Sequence, residues 1–439
     1  MRILVVTLYY SPDGGPAAPL YAMLCEELAR RGHQVTVLTS VPHYPTGRVR
    51  PEYRRHTLQR SLERGVQVIR VPVPSVQRAR LPQRLLQFAC YQLGAAWAGL
   101  SERYDAVLLG NPALAVGLPF ALLATLRRKP AIYSVHDVYP DVGVALGVFR
   151  HRAVITAVGA LERFCLRRAA WVRVLSESFR PGVAAQGVPA SKMALVYDWV
   201  DTDLIRPLPR DNDYARENGL DGCFVALYAG NIGLSQGLEH VLSAAAQLAG
   251  HEDMRFVFVG DGTGRASLQA EAQSRRLANV RFLPFQPRAR LPEVLATADV
   301  SLVPLQKGVA LRSLPSKIFS ILASGRPLLA SLDEGSDAWQ LVQRAQAGLC
   351  VPPESPEELA GAILALRSDP DLCARLGRNG RDYALRHHSP QSAAEQFEQL
   401  FASAIPGQAS PHADEDTHRR GAEDAEGSSR ASAPSAPLR

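Results

Sequence analysis

The chain reads as an α/β protein of two doubly wound domains, and three features predict this. Short β-branched runs alternate with helical stretches through residues 1–206. The alternation restarts after a segment rich in Pro, Asp and Asn around Pro207, and the second half contains an apolar run, a glycine-rich turn and a helix in that order.

In the first half RILVVTLYY, QVTVLTS, VQVIRVPV, AVLLGN, AIYSVHD, WVRVLS and MALVYDWV have the length and apolar density of buried parallel strands. Helical patterns such as 19–31 and 154–169 separate them. Residues 1–10 are too short for a signal-peptide core and read as the first strand. The most apolar window, 106–126, is broken by Asn111-Pro112 and by Pro119, so it reads as strand, turn and helix, not as a membrane span. The second half repeats the pattern in FVALYAGN, MRFVFVGDG, VRFLPF, DVSLVPL, RPLLAS and GLCVPP. Expected boundaries are 1–206, 207–388, an amphipathic helix over 389–404, and a tail over 405–439. The tail has almost no large apolar residue and is expected to be disordered.

With 439 residues, 46% of them hydrophobic, the chain can fill two cores. Its charge is unevenly placed: residues 1–204 carry 25 basic and 14 acidic side chains, and residues 205–404 carry 20 and 22. Arg48, Arg50, Arg54, Arg55 and Arg60, then Arg78, Arg80 and Arg84, flank the apolar run LLQFACYQLGAAWAGL. A basic face beside an amphipathic helix suits an anionic membrane surface; no aromatic-basic nucleic-acid motif is visible, so nucleic acid is not an expected partner. A merely solvated basic face is the plain alternative. Six cysteines without paired spacing argue against a zinc site or a disulfide framework and for a reduced, cytoplasmic compartment.

Two stretches point to a ligand. Residues 312–330, RSLPSKIFSILASGRPLLA, place Pro315, Ser316 and Lys317 at a helix N-terminus, where backbone N–H groups and a cation stabilise an anion. An ordinary capped helix explains the same residues. Residues 225–242, VALYAGNIGLSQGLEHVL, supply glycines at Gly230, Gly233 and Gly237 between strand and helix, the order that cradles a diphosphate. Two such sites imply one nucleotide ligand.

Together GNIGLSQGLE, FVGDGTGRASL, VRFLPF, ATADVSLVPL, LPSKIFSILASGRPLLAS and AGLCVPPESPEELAGAI resemble the nucleotide-sugar domain of glycosyltransferase family 4. YYSPDGGPAAP, ELARRGHQVTVLTS, SVHDVYPDV and VYDWVDTDLIRPL resemble its branch for colanic acid and O-antigen-like polysaccharides. The resemblance spans residues 1–404. It implies the GT-B fold, with two Rossmann-like domains facing a cleft and the last helix returning to the N-terminal domain. It also implies retaining transfer from a nucleoside diphosphate sugar, by analogy a uridine one, to a polyprenyl-diphosphate-linked saccharide at the inner face of the cytoplasmic membrane, with no obligatory metal. Asp201-x-Asp203 lies in the interdomain segment and reads as a turn or cap.

The chain departs from the family at four positions. The usual glutamate pair is replaced by Arg312 and Ser320, and the usual Arg and Lys of the phosphate loop by Asn231 and Gln236. We expect Lys317, and secondarily Arg312, to take over the charge of the leaving diphosphate, with Asn231 and Gln236 donating neutral hydrogen bonds. By motif matching, Gly14 and Gly15 let the backbone approach the sugar phosphate or form a plain turn. Gly260, Asp261 and Gly262 end a strand at the ligand edge or make a simple Asp-Gly turn. By analogy Phe285 and Leu291 lie against the base, or else belong to the core. His136 and Asp137 follow AIYSV into the cleft, His136 to contact the transferred sugar and Asp137 to orient or deprotonate the acceptor hydroxyl; a structural pair is the alternative. Asp13 is a second candidate base, or an Asx turn. Two rival functions share the fold: a nucleotide-sugar 2-epimerase and a non-catalytic sugar-nucleotide-binding subunit.

Overall fold

The structure, a computed structural model, describes residues 1–55, 57–77, 80–141, 144 and 151–405. Arg78 and the tail from residue 406 lie outside the described residues. Among them, two sheets are built from β1 (Arg2–Val6), β2 (Gln34–Ser40), β3 (Gln59–Glu63), β4 (Val66–Val71), β5 (Ala106–Gly110), β6 (Ala131–Val135), β7 (Trp171–Val174) and β8 (Met193–Leu195), then β9 (Phe224–Ala229), β10 (Met254–Val259), β11 (Val280–Leu283), β12 (Val300–Pro304), β13 (Leu328–Ser331) and β14 (Gly348–Val351). The first sheet has the order β3-β4-β2-β1-β5-β6-β7-β8, and the second the order β11-β10-β9-β12-β13-β14. Every pairing is parallel except β3 with β4.

Parallel strands joined by helices bury both faces, which is why they stand out as unbroken apolar runs. In β1, Leu4 and Val6 face a core completed by Tyr91, Ala95, Phe120 and Tyr133, while Ile3 and Val5 face Tyr21, Leu24 and Leu28 on the other side. Helices Leu81–Leu100 and Arg152–Arg168 cover the first face, and helix Ala18–Arg30 the second. β3, QRSLE, was not expected. It is an edge strand with one partner and no continuous apolar run, so its sequence carries no buried-strand signal.

The last helix, Pro390–Ala404, packs on the first lobe: Phe397 and Phe401 are buried beside Trp199, and Glu398 pairs with Arg31 at 2.8 Å and His33 at 2.7 Å. The connecting segment is fastened by Arg381, which donates to the carbonyls of Thr202, Ile205 and Ala323. The lobes also meet at the C-terminal ends of their strands. There Asp337, after β13, accepts from the Tyr197 hydroxyl at 2.7 Å and from the Glu177 amide at 2.9 Å. Among the described residues no helix is long and apolar enough to cross a membrane.

Candidate active site

At the C-terminal edge of the second sheet two cavities share a wall. One, of about 200 Å³, is almost wholly apolar and is lined by Leu227, Val259, Phe285, Leu291 and Ile321. The other, of about 450 Å³, is more polar and is lined by Asn231, Ser235, Gln236, Pro315 and Ser316. Gly230, Lys317 and Ser320 line both. Neither lining contains a carboxylate.

Lys317 starts the helix Lys317–Ser324, whose apolar face packs Ile318, Phe319, Ile321 and Leu322 into the core. Its Nζ donates to the Tyr228 hydroxyl at 2.8 Å and to Gln236 Oε1 at 2.9 Å, and lies 3.9 Å from the Tyr228 ring centroid. No acidic group neutralises it among the described residues, and burial lowers its pKa to about 7. A half-buried cation with neutral partners is an unfinished charge balance, and an anion in either cavity would complete it.

The glycine loop is held by backbone. Gly230 takes φ +145°, and its N–H donates to Val259 O at 2.9 Å; the Ile232 N–H donates to Asp261 O at 2.8 Å, and the Gly264 N–H to Ile232 O at 2.9 Å. A Cβ on Gly260 would run into the Gly230 carbonyl, and one on Gly262 into that of Ile232. Gly260, Asp261 and Gly262 therefore brace the loop from behind and line neither cavity.

In the first lobe, His136 and Asp137 leave β6 at its C-terminal end. Asn111, one residue beyond β5, clamps them: its Oδ1 accepts from the His136 amide at 2.8 Å, and its Nδ2 donates to Asp137 O at 2.5 Å. His136 Nε2 lies 3.0 Å from the Tyr21 hydroxyl, and a Cβ on Gly110 would collide with that hydroxyl. Burial, with the Arg173 charge adding to it, lowers the His136 pKa to about 4, so the ring is neutral at physiological pH. Asp137 is exposed, yet partial desolvation raises its carboxyl above the usual carboxylate value. A neutral imidazole beside a carboxylate of raised pKa is suited to hydrogen bonding a sugar and accepting a hydroxyl proton.

Residues 14–199 match the family described as glycosyl transferase 4-like domain, and residues 211–383 the family described as glycosyl transferases group 1. The chain is 30% identical to the putative colanic acid biosynthesis glycosyl transferase WcaI of Escherichia coli strain K12, across 90% of this chain and 98% of that one. The chain is a family 4 glycosyltransferase. The probable glycosyltransferase WbjE of Pseudomonas aeruginosa is 28% identical across 74% of this chain and 81% of its own. Among solved structures, sucrose-phosphate synthase from Thermosynechococcus elongatus superposes with a TM-score of 0.68 at 19% identity, covering 92% of this chain and 98% of that one. HepE of Anabaena in complex with UDP does so with 0.66 at 18%, covering 92% and 100%. These likenesses show that the transferase has the GT-B fold.

The transferase brings Gly230, Asn231, Gln236, Phe285, Leu291, Pro315, Ser316 and Lys317 together around the paired cavities. Ser316 stands at the N-cap position, but its side chain makes no capping hydrogen bond. Three other expected positions stand outside the two cavities. Arg312 is exposed and lines neither cavity, because the turn closed by its amide on Val309 O carries it into solvent. Asp13 is buried, with its carboxylate accepting from the amides of His43 and Tyr44, so it secures a loop and is not open to an acceptor. Gly15 is buried against the Tyr9 ring, where a Cβ would clash, and neither Gly14 nor Gly15 lines a donor cavity.

Sequence reasoning missed Tyr228, Tyr21 and Asn111. Asn111 left one local sign, a polar residue directly after an apolar strand and before proline. Tyr228 and Tyr21 are aromatic residues within apolar patterns and left none. Asp201 caps a turn, accepting from the Leu204 amide at 2.9 Å.

Proposed function

We propose that this glycosyltransferase moves a sugar, with retention, from a nucleoside diphosphate sugar to a polyprenyl-diphosphate-linked saccharide in bacterial surface polysaccharide synthesis. The observation that carries the donor half is Lys317, a half-buried ammonium with only neutral partners in the wall between an apolar and a polar cavity. The base lies in the apolar cavity against Phe285 and Leu291. The diphosphate lies between Lys317 and the loop from Gly230 to Gln236, and the transferred sugar faces His136. Lys317 and backbone N–H groups take the charge that develops on the leaving diphosphate, so the reading requires no metal. Asp137 accepts the acceptor proton.

The colanic acid role named for the 30% identical relative supports a polysaccharide product, and the UDP bound in the HepE structure supports a uridine donor. A peripheral position on an anionic membrane is supported by the helix Leu81–Leu100. Its Leu86, Leu93 and Trp97, at helical spacing, are 55%, 63% and 73% exposed, an apolar stripe unlike an ordinary solvated face.

A thermal-shift panel of nucleotide sugars tests the donor assignment. A true donor raises the melting temperature of the wild type and fails to do so in Lys317→Ala. Equal shifts in both proteins would remove Lys317 from the site.

A further inference from the structure

The first lobe has a second cationic cavity that the donor site leaves unused. It opens between β3, the end of β4 and the loop before β3, and is lined by Tyr53, Arg55, Thr57, Arg60, Glu63 and Arg70. It shares no lining residue with the donor cavities. Arg70 is 3% exposed, an unusual position for a guanidinium. Glu63 accepts from its Nη1 at 2.5 Å and its Nη2 at 3.0 Å, Ser61 Oγ accepts from Nη1 at 3.1 Å, and the Ser11 carbonyl accepts from Nη2 at 2.7 Å. Its buried Nε has no partner among the described residues. Arg60 pairs at 2.8 Å with Glu102, which stands outside the cavity. Arg55 is exposed and has no acidic partner among the described residues. Three guanidinium groups thus meet one lining carboxylate, and the Thr57 hydroxyl adds a neutral donor, whereas that of Ser61 already donates to Glu63 at 2.5 Å.

We infer that this cavity binds a phosphate-type oxyanion, and that the oxyanion is the diphosphate head group of the lipid-linked acceptor. Arginine forks suit phosphate oxygens, and unlike lysines they stay charged when partly desolvated. The position favours the acceptor over the donor. Arg70, next to last in β4, lies near the same sheet edge from which His136 leaves β6, and five strand spacings separate β3 from β6, about 24 Å. The position also favours a lipid. The cavity wraps the β3 edge of the sheet: Tyr53 and Leu58 pack on the core face of Tyr91 and Phe88 of the helix Leu81–Leu100, while Arg70, with Ser61 and Glu63, projects to the opposite face, that of Val66 and Val68. A head group in the cavity would reach the side of the helix Leu81–Leu100 by passing its chain over Tyr53 and Leu58, and its saccharide would run along the sheet edge toward His136.

The acceptor assignment rests on the proposed transferase activity, so its test avoids turnover. Inorganic pyrophosphate is titrated calorimetrically into wild type, Lys317→Ala, Arg55→Ala/Arg60→Ala and the triple variant, with melting temperatures as the folding control. Wild type should bind two equivalents. Lys317→Ala should retain one, and Arg55→Ala/Arg60→Ala should weaken that one about tenfold or more while UDP binding persists. A single equivalent that vanishes in Lys317→Ala overturns the site. Flotation with phosphatidylcholine vesicles carrying a polyprenyl diphosphate then tests the source. Reduced retention of Arg55→Ala/Arg60→Ala relative to wild type supports the lipid head group; equal retention overturns it in favour of a soluble phosphate. Absence of UDP binding in wild type would refute the donor reading and leave the pyrophosphate result standing.

Discussion

If Lys317 completes its charge balance only with a diphosphate, donor affinity must depend on pH in a definite direction. Burial lowers the ammonium's pKa to about 7 in the free protein, so at pH 8 only about one molecule in ten carries the charge. A diphosphate beside Nζ favours the charged form and raises that pKa, so binding above pH 7 takes up a proton. For a liganded pKa well above 9, the dissociation constant should rise about fifty-fold between pH 7 and pH 9. Stability follows from the same shift. The unfolded lysine titrates near 10.5 and binds more protons than the folded one above pH 7, so the ligand-free protein should gain stability from about pH 7 to about pH 10.5. Lys317→Met keeps the stem and removes both effects. Calorimetric titration of UDP at pH 7, 8 and 9, in buffers of different ionisation enthalpy, reads the affinity slope and the proton uptake directly. The same slope in Lys317→Met and wild type, or no proton uptake at pH 8, would refute the reasoning.

Asn111→Ala should lower kcat by roughly 10-fold to 100-fold with UDP affinity unchanged, because it frees the His136–Asp137 backbone; an effect on KM alone would show that the clamp does not position the reacting groups. Gly260→Ala should destabilise the second lobe by about 3 kcal/mol, since its φ of +147° and the neighbouring Gly230 carbonyl both exclude a side chain, which urea unfolding measures. Leu93→Ser/Trp97→Ser should weaken flotation with acidic vesicles by at least about tenfold, through the loss of two inserting apolar groups. Truncation before residue 389 removes Phe397, Phe401 and the Glu398 pairings and should lower the melting temperature of the first lobe, as calorimetry would show.

The strands were legible because burial on both faces demands runs such as RILVV and MRFVFV, and β3 was not because an edge strand has no such demand. Gly230, Gly237 and Lys317 were legible because a positive φ and a helix start leave local marks. The direction of the Asp13 carboxylate left no such mark. It turned on the His43 and Tyr44 amides, 30 and 31 residues away.

The sequence by itself determined two α/β lobes, the place of the glycine loop, and a lysine at the start of the helix beside it. Periodicity and backbone conformation are local properties, readable within a few residues. Only the tertiary structure decided that Lys317 meets Tyr228 and Gln236, 89 and 81 residues away, with no carboxylate at hand; that Arg312 stands in solvent; and that Asn111 fastens His136 and Asp137 from the neighbouring strand. Charge state and reactivity depend on desolvation and partners, which are set by packing between segments distant in the chain, and no local pattern encodes them.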